Sequence, residues 1–195
     1  MLDLCAGKLG IAREFALRGW TVTAVDIVIP PEIPFGMKFI KADILSLTPQ
    51  WVRENFDFGW ASTPCENFSV YRMKMFHPNP PYPALGVTLF NHARWLYETA
   101  GIPYIMENVQ TAQDFIGQAV NHAGSFYLWG NSVPPLIPKG LTKGMKMDRK
   151  WCQELGGHGS AKRDAQTAGF ATIPPELANC VAAYAERLLE LEAIA

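Results

Sequence analysis

Asp3-Leu4-Cys5-Ala6-Gly7-Lys8-Leu9-Gly10 is the stretch on which the fold turns. The apolar run Met1 to Leu4 predicts a short strand, and Ile11, Phe15 and Ala16 beyond it share one face of a helix. Between them, Ala6 and Gly7 are small enough for a ligand to approach the backbone, and the helix start offers free N–H groups and a positive dipole end. Strand, Gly-containing turn and helix, in that order, form a nucleotide-type unit. The spacing is not GxGxxG, so the turn alone does not separate a ligand site from an ordinary connection.

The segments that follow repeat the alternation. Thr21 to Val25 is rich in β-branched residues and ends at Asp26, about 20 residues past the turn, where an acidic side chain can meet ribose hydroxyls. An Asp at a strand end also serves simply as a turn residue. Met37 to Lys41 predicts a third strand, followed by Asp43, which either reaches an adenine amino group at the sheet edge or caps the next turn. Pro49 to Glu54 predicts a short helix, and Phe56 to Ala61 a buried strand. Strands at helix-length intervals predict an α/β fold with a doubly wound, mostly parallel sheet.

The fourth strand leads into Ser62-Thr63-Pro64-Cys65-Glu66-Asn67-Phe68-Ser69. Cys65, just after Pro64, stands on stiff backbone at the edge where α/β sheets keep their clefts. That is a place for a nucleophile, although free Cys is also among the most buried residue types. Asn67 to Pro83 has no clear period and reads as a lid rather than a helix, made mildly basic by Arg72 and Lys74. Ala84 to Ala100 predicts a helix burying Leu85, Leu89, Ala93, Leu96 and Ala100. Tyr104 to Met106 then carries Glu107-Asn108-Val109 to the same edge as Cys65. Desolvation at a strand tip raises a carboxylate's pKa and fits it to share a proton near neutrality; otherwise Glu107 caps a helix starting near Thr111. Ser125 to Trp129 predicts a further strand, and Pro174 and Pro175 start an amphipathic helix through Leu177, Val181, Tyr184, Leu188 and Leu191.

A chain of 195 residues, 49% hydrophobic and 18% charged, is expected to form one globular domain spanning 1–195. No apolar run reaches the length of a membrane span and the start lacks a signal-peptide layout, so a cytoplasmic location and no membrane partner are expected. Cys5, Cys65, Cys152 and Cys180 show no CxxC spacing, and Cys152 with His158 is half a metal set, so no metal is expected. The net charge of −1 conceals a basic stretch: Lys139, Lys143, Lys146, Arg149, Lys150, Lys162 and Arg163 stand against Asp148 and Glu154. It faces phosphates or forms a solvated loop.

Taken in order, these motifs resemble the DNA cytosine-5 methyltransferase family. Asp3-Leu4-Cys5-Ala6-Gly7 resembles its first cofactor motif, and Asp26 and Asp43 its acidic cofactor positions. Pro64-Cys65 resembles the nucleophile motif, Glu107-Asn108-Val109 the Glu-Asn-Val motif, and Ile173 to Ala178 the start of the last motif. The resemblance implies a methyltransferase-type Rossmann-like sheet and S-adenosyl-L-methionine as cofactor, bound through Asp3, Cys5, Ala6, Gly7, Asp26, Asp43 and Pro64. It further implies Cys65 as nucleophile and Glu107 as the group holding the base. DNA contacts are expected from Asn67, Ser69, Arg72, Asn108, Lys146, Arg149 and Arg163. RNA as substrate, or an inactive module that keeps the cofactor fold, are the other readings.

The chain also departs from the family. Cys5 stands where Phe is usual, Leu9 where Gly is usual, and Glu66 where Gln commonly follows the nucleophile. The Gln-x-Arg-x-Arg motif is missing, since no arginines follow Gln118; Arg149 or Arg163 is then left to supply the contact. Residues 131–166 are expected to serve as a reduced target-recognition segment, with loose specificity or help from a second subunit, as a homodimer or with an accessory chain. Residues 174–192 are expected to form a helix packing back on the cofactor side.

Overall fold

The computed structural model describes residues 1–72, 77–137 and 173–194. Seven strands form one sheet in the order β3-β2-β1-β4-β5-β7-β6. They are β1 (Leu2–Leu4), β2 (Val22–Asp26), β3 (Met37–Lys41), β4 (Gly59–Ser62), β5 (Tyr104–Asn108), β6 (Asn121–Ala123) and β7 (Phe126–Trp129). β1 to β5 are mutually parallel. β7 runs antiparallel to β5, and β6 antiparallel to β7. The sheet is therefore mixed, a mostly parallel body with an antiparallel hairpin on one edge.

Helices cover both faces, because each central strand buries residues on alternate sides. The helices are α1 (Gly10–Leu17), α2 (Pro49–Asn55), α3 (Glu66–Ser69), α4 (Ala84–Ala100), α5 (Gln113–Ile116) and α6 (Pro175–Glu192). Phe15, Phe58, Trp60, Ile105, Leu128, Leu177 and Val181 share the core beneath α1 and α6. Leu2, Leu4, Ala61, Phe90, Leu96 and Met106 share the core beneath α2 and α4. Arg18 at the end of α1 donates to both Glu186 carboxylate oxygens, at 2.8 and 2.5 Å, and to Asn179 at 2.8 Å, tying α6 alongside. Such a fork matches the geometry of a carboxylate, although its partial exposure limits the gain.

Local chemistry sets where elements begin and end. Thr48 caps α2 by accepting from Trp51 N at 3.3 Å, with Pro49 at the first turn. Gly101, at φ +74°, closes α4 in the left-handed conformation that glycine adopts without strain. At the end of β7, Gly130 crosses β5 so closely that an added Cβ would lie 2.2 Å from the Tyr104 carbonyl oxygen. There the Asn131 side chain accepts from Tyr104 N at 2.8 Å and completes the pairing of that strand's start.

Three expectations need correction. The chain after Cys65 does enter a helix, α3, followed by a 3-10 turn over Val70–Arg72. Along α4, Leu85 is 61% exposed; Gly86, Phe90, Ala93, Leu96, Tyr97 and Ala100 form the buried face, and Leu89 is only half-buried. On α6 the inward face is Leu177, Ala178, Val181, Ala182 and Ala185, whereas Leu191 is 60% exposed. Small alanines allow α6 close against α1, so the larger leucines past its middle are not needed for that packing. None of the helices in the described residues is long and apolar enough to cross a membrane.

Candidate active site

The direction of strand order reverses between β1 and β4: β2 and β3 lie on one side, β5 on the other. In open parallel sheets, the crevice outside the strand ends at such a reversal is where ligands bind. Here the Cys5-Ala6-Gly7 turn leaves β1 and the Thr63-Pro64-Cys65 turn leaves β4 at that edge. Asp26 ends β2 beside the first turn, and Glu107 lies opposite Ser62 in the β4–β5 register.

On the β1 side, acidic groups dominate. Asp3 is 1% exposed, and neither carboxylate oxygen has a hydrogen-bond partner among the described residues. Burial and then the nearby Asp26 hold its pKa well above the ordinary carboxylate value. Asp26 accepts from Gly7 N at 3.0 Å with one oxygen and from Val28 N at 2.9 Å with the other. Each oxygen keeps a lone pair for a further donor. Asp43 accepts from Leu45 N at 2.9 Å, which makes it the cap of the 3-10 turn over Ile44–Ser46; its second oxygen makes no hydrogen bond in the described residues. Cys5 adopts φ +56°, unusual for a residue with a side chain. Burial, followed by Asp26, Asp3 and Asp43, pushes its thiol up to about 12.

This set suits a ligand with a positive charge and vicinal hydroxyls. A cation would satisfy the buried Asp3 carboxyl, and hydroxyls would meet the remaining lone pairs of Asp26. Without a cation, Asp3 opposes folding once ionised. Its folded pKa lies above the unfolded one, so stability falls as pH rises through the unfolded carboxylate value. Asp3→Asn is therefore expected to gain melting temperature relative to the parent as pH goes from 5 to 8. A loss at pH 8 would mean that Asp3 has a partner worth more than its desolvation.

On the β4 side the turn is braced. Fully buried Asn108, the last residue of β5, donates to the Thr63 carbonyl at 2.9 Å and to Thr63 Oγ1 at 3.1 Å. Its own Oδ1 accepts from Val109 N at 2.9 Å. The side chain expected to touch DNA is instead spent on holding the chain two residues before Cys65. Ser69 likewise donates to the Cys65 carbonyl at 3.0 Å, while Asn67 is half-buried, and Arg72 and Pro64 are exposed.

The two candidate groups, Cys65 and Glu107, are both shifted upward by burial. Cys65 is partly buried, and its thiol is pushed up to about 11 by burial, then by Glu66 and Glu107. Glu107 is nine-tenths buried, and desolvation raises it to about 7, with the facing Ser62 hydroxyl working the other way. At neutrality the site therefore holds a thiol beside a carboxyl that is about half protonated. No protein-family model matches the chain, and no curated protein matches it. The chemistry of this edge stands on its own residues.

The structure gathers Asp3, Cys5, Ala6, Gly7, Asp26, Asp43, Pro64, Cys65 and Glu107 along one sheet edge. Lys146, Arg149 and Arg163 lie outside the described residues, as do Lys74, Cys152, His158 and most of 131–166. Thr63, Phe68 and Gly86 shape the site without any signal in the sequence, since their partners are distant in the chain.

Proposed function

We propose that the chain transfers a methyl group from S-adenosylmethionine to C5 of cytosine in DNA, through a transient bond between Cys65 and C6. The observation that carries this is the placement of Cys65 and Glu107 on adjacent strand ends, beside the acidic crevice of Asp3 and Asp26. Cytosine C5 is too electron-poor to take an alkyl group unaided. Addition of Cys65 Sγ to C6 turns C5 into a nucleophile. Protonated Glu107 donates to N3 and accepts from the exocyclic amine, which stabilises charge as the adduct forms. When bound, S-adenosylmethionine supplies an electrophilic methyl group; Asp3 would face its cationic part and Asp26 its ribose. The C5 proton then passes to water, its electron pair forms the C5–C6 double bond, and Cys65 leaves as thiolate with the C6–S pair, which restores the ring. Because C6 is covered in a duplex, the base must leave the stack to reach Cys65.

The deciding experiment offers labelled S-adenosylmethionine with a mixed panel of DNA and RNA. The expected product is 5-methylcytosine in DNA. Label in RNA alone would move the substrate, and cofactor binding without label would mark an inactive module. Asp3→Asn should weaken S-adenosylmethionine binding in the same preparations.

A further inference from the structure

We propose that Gly86, on α4 and outside every motif discussed above, is a positioning residue that sets where Cys65 stands, acting through Phe68. The inference rests on Cys65 being the reactive group. The Cys65 carbonyl accepts from Phe68 N at 3.0 Å, Ser69 N at 2.9 Å and Ser69 Oγ at 3.0 Å. These bonds make residues 65–69 one stiff unit, so the Phe68 ring and the Cys65 backbone move together. The ring is fully buried, and it is tilted against Phe115, 5.9 Å between centroids. The ring also reaches the first turn of α4, where an added Cβ at Gly86 would fall 2.9 and 3.0 Å from two ring carbons. Glycine is among the poorest residues for a helix, yet α4 carries it where a side chain would meet the ring. Behind Cys65, Thr63 is fixed to β5 by Asn108, with Pro64 stiffening the link between them. The nucleophile turn is thus held from two sides, and the α4 side is set by the absence of one carbon.

The test is Gly86→Ala, alone and combined with Phe68→Leu. Alanine favours the helix but crowds the buried ring, so a purely structural role predicts a lower melting temperature from overpacking with unchanged chemistry. Positioning predicts a fall in kcat of about tenfold or more, since misplacement near 1 Å costs on the order of a hundredfold. KM for nucleic acid and the affinity for S-adenosylmethionine should stay as they are. The pKa of Cys65, read from the pH dependence of iodoacetamide labelling at that residue by mass spectrometry, should move by about half a unit or more as its distance from Glu66 and Glu107 changes. Leucine lacks the ring atoms that the new Cβ meets, so the double variant should recover to within about threefold of the parent.

Parent-like kcat and thiol pKa in Gly86→Ala overturn the proposal, as does a double variant no better than the single. Should Gly86→Ala fail to fold, Phe68→Leu decides: by leaving a gap over Gly86 it should lower kcat and move the thiol pKa, and unchanged values overturn the idea. If the parent methylates nothing, the thiol titration still reads the position of Cys65. A shift that the double variant reverses then supports positioning while the methyltransferase reading fails.

Discussion

Cys65→Ser is expected to cut methyl transfer by roughly four orders of magnitude while the protein folds as before. The reason is the environment already acting on sulfur. Burial and the charges of Glu66 and Glu107 hold even the thiol at about 11. A serine hydroxyl, far less acidic to begin with, would have essentially no alkoxide in that setting. Folding should be spared because serine differs from cysteine by one atom of similar size and residue 65 is only partly buried. The Asp3 and Asp26 side of the crevice is untouched, so S-adenosylmethionine affinity should equal that of the parent. DNA carrying 5-fluorocytosine supplies the decisive comparison, because the fluorine blocks loss from C5 and leaves the enzyme attached. A denaturation-resistant complex with the parent and none with Cys65→Ser is the expected pair. A complex with both, or serine-variant turnover above about one part in a hundred of the parent's, would take the nucleophile's role from Cys65.

The parts of this arrangement that could be read from sequence are those encoded by neighbours in the chain. Alternating or fully apolar runs ending in Asp26 and Lys41 gave β2 and β3, and Pro83 with Gly101 bracketed α4 at Ala84–Ala100. Asn121-His122-Ala123 has no such pattern; β6 exists because it pairs with β7, so only the fold creates it. The face of α4 was misjudged for a related reason. Leu85 fits the apolar stripe, but the approach of Phe68 turns Gly86 inward and leaves Leu85 in solvent. At the site, the meeting of Cys65 and Glu107 at one sheet edge was legible because each follows or ends an apolar strand run. Asn108 was not, since an amide at the end of a strand looks equally suited to a ligand or to a carbonyl. Its use on Thr63 depends on β4 and β5 being neighbours.

Glu107→Gln separates the two kinds of consequence that one buried carboxyl has. Desolvation raises Glu107 to about 7 in the folded chain, above the ordinary glutamate value of 4.5. The folded state therefore holds its proton longer than the unfolded state, and stability is lost as pH climbs from about 4.5 to about 7. Glutamine keeps the shape without the charge, so its melting temperature should match the parent's near pH 4 and exceed it above pH 7. Activity should move the opposite way, falling about a thousandfold through loss of the proton shared with the base. The pH profile supplies the sharper check. Turnover needs Cys65 deprotonated and Glu107 protonated, the reverse of their ordinary order, with values of about 11 and about 7. Below the lower value, kcat/KM should climb tenfold per pH unit as thiolate accumulates. Above it, each gain in thiolate is cancelled by loss of the Glu107 proton, and the curve should level. In Glu107→Gln that cancellation is gone, so the residual rate should keep rising past pH 7. A residual rate that levels where the parent's does would mean that another group, not Glu107, carries the proton.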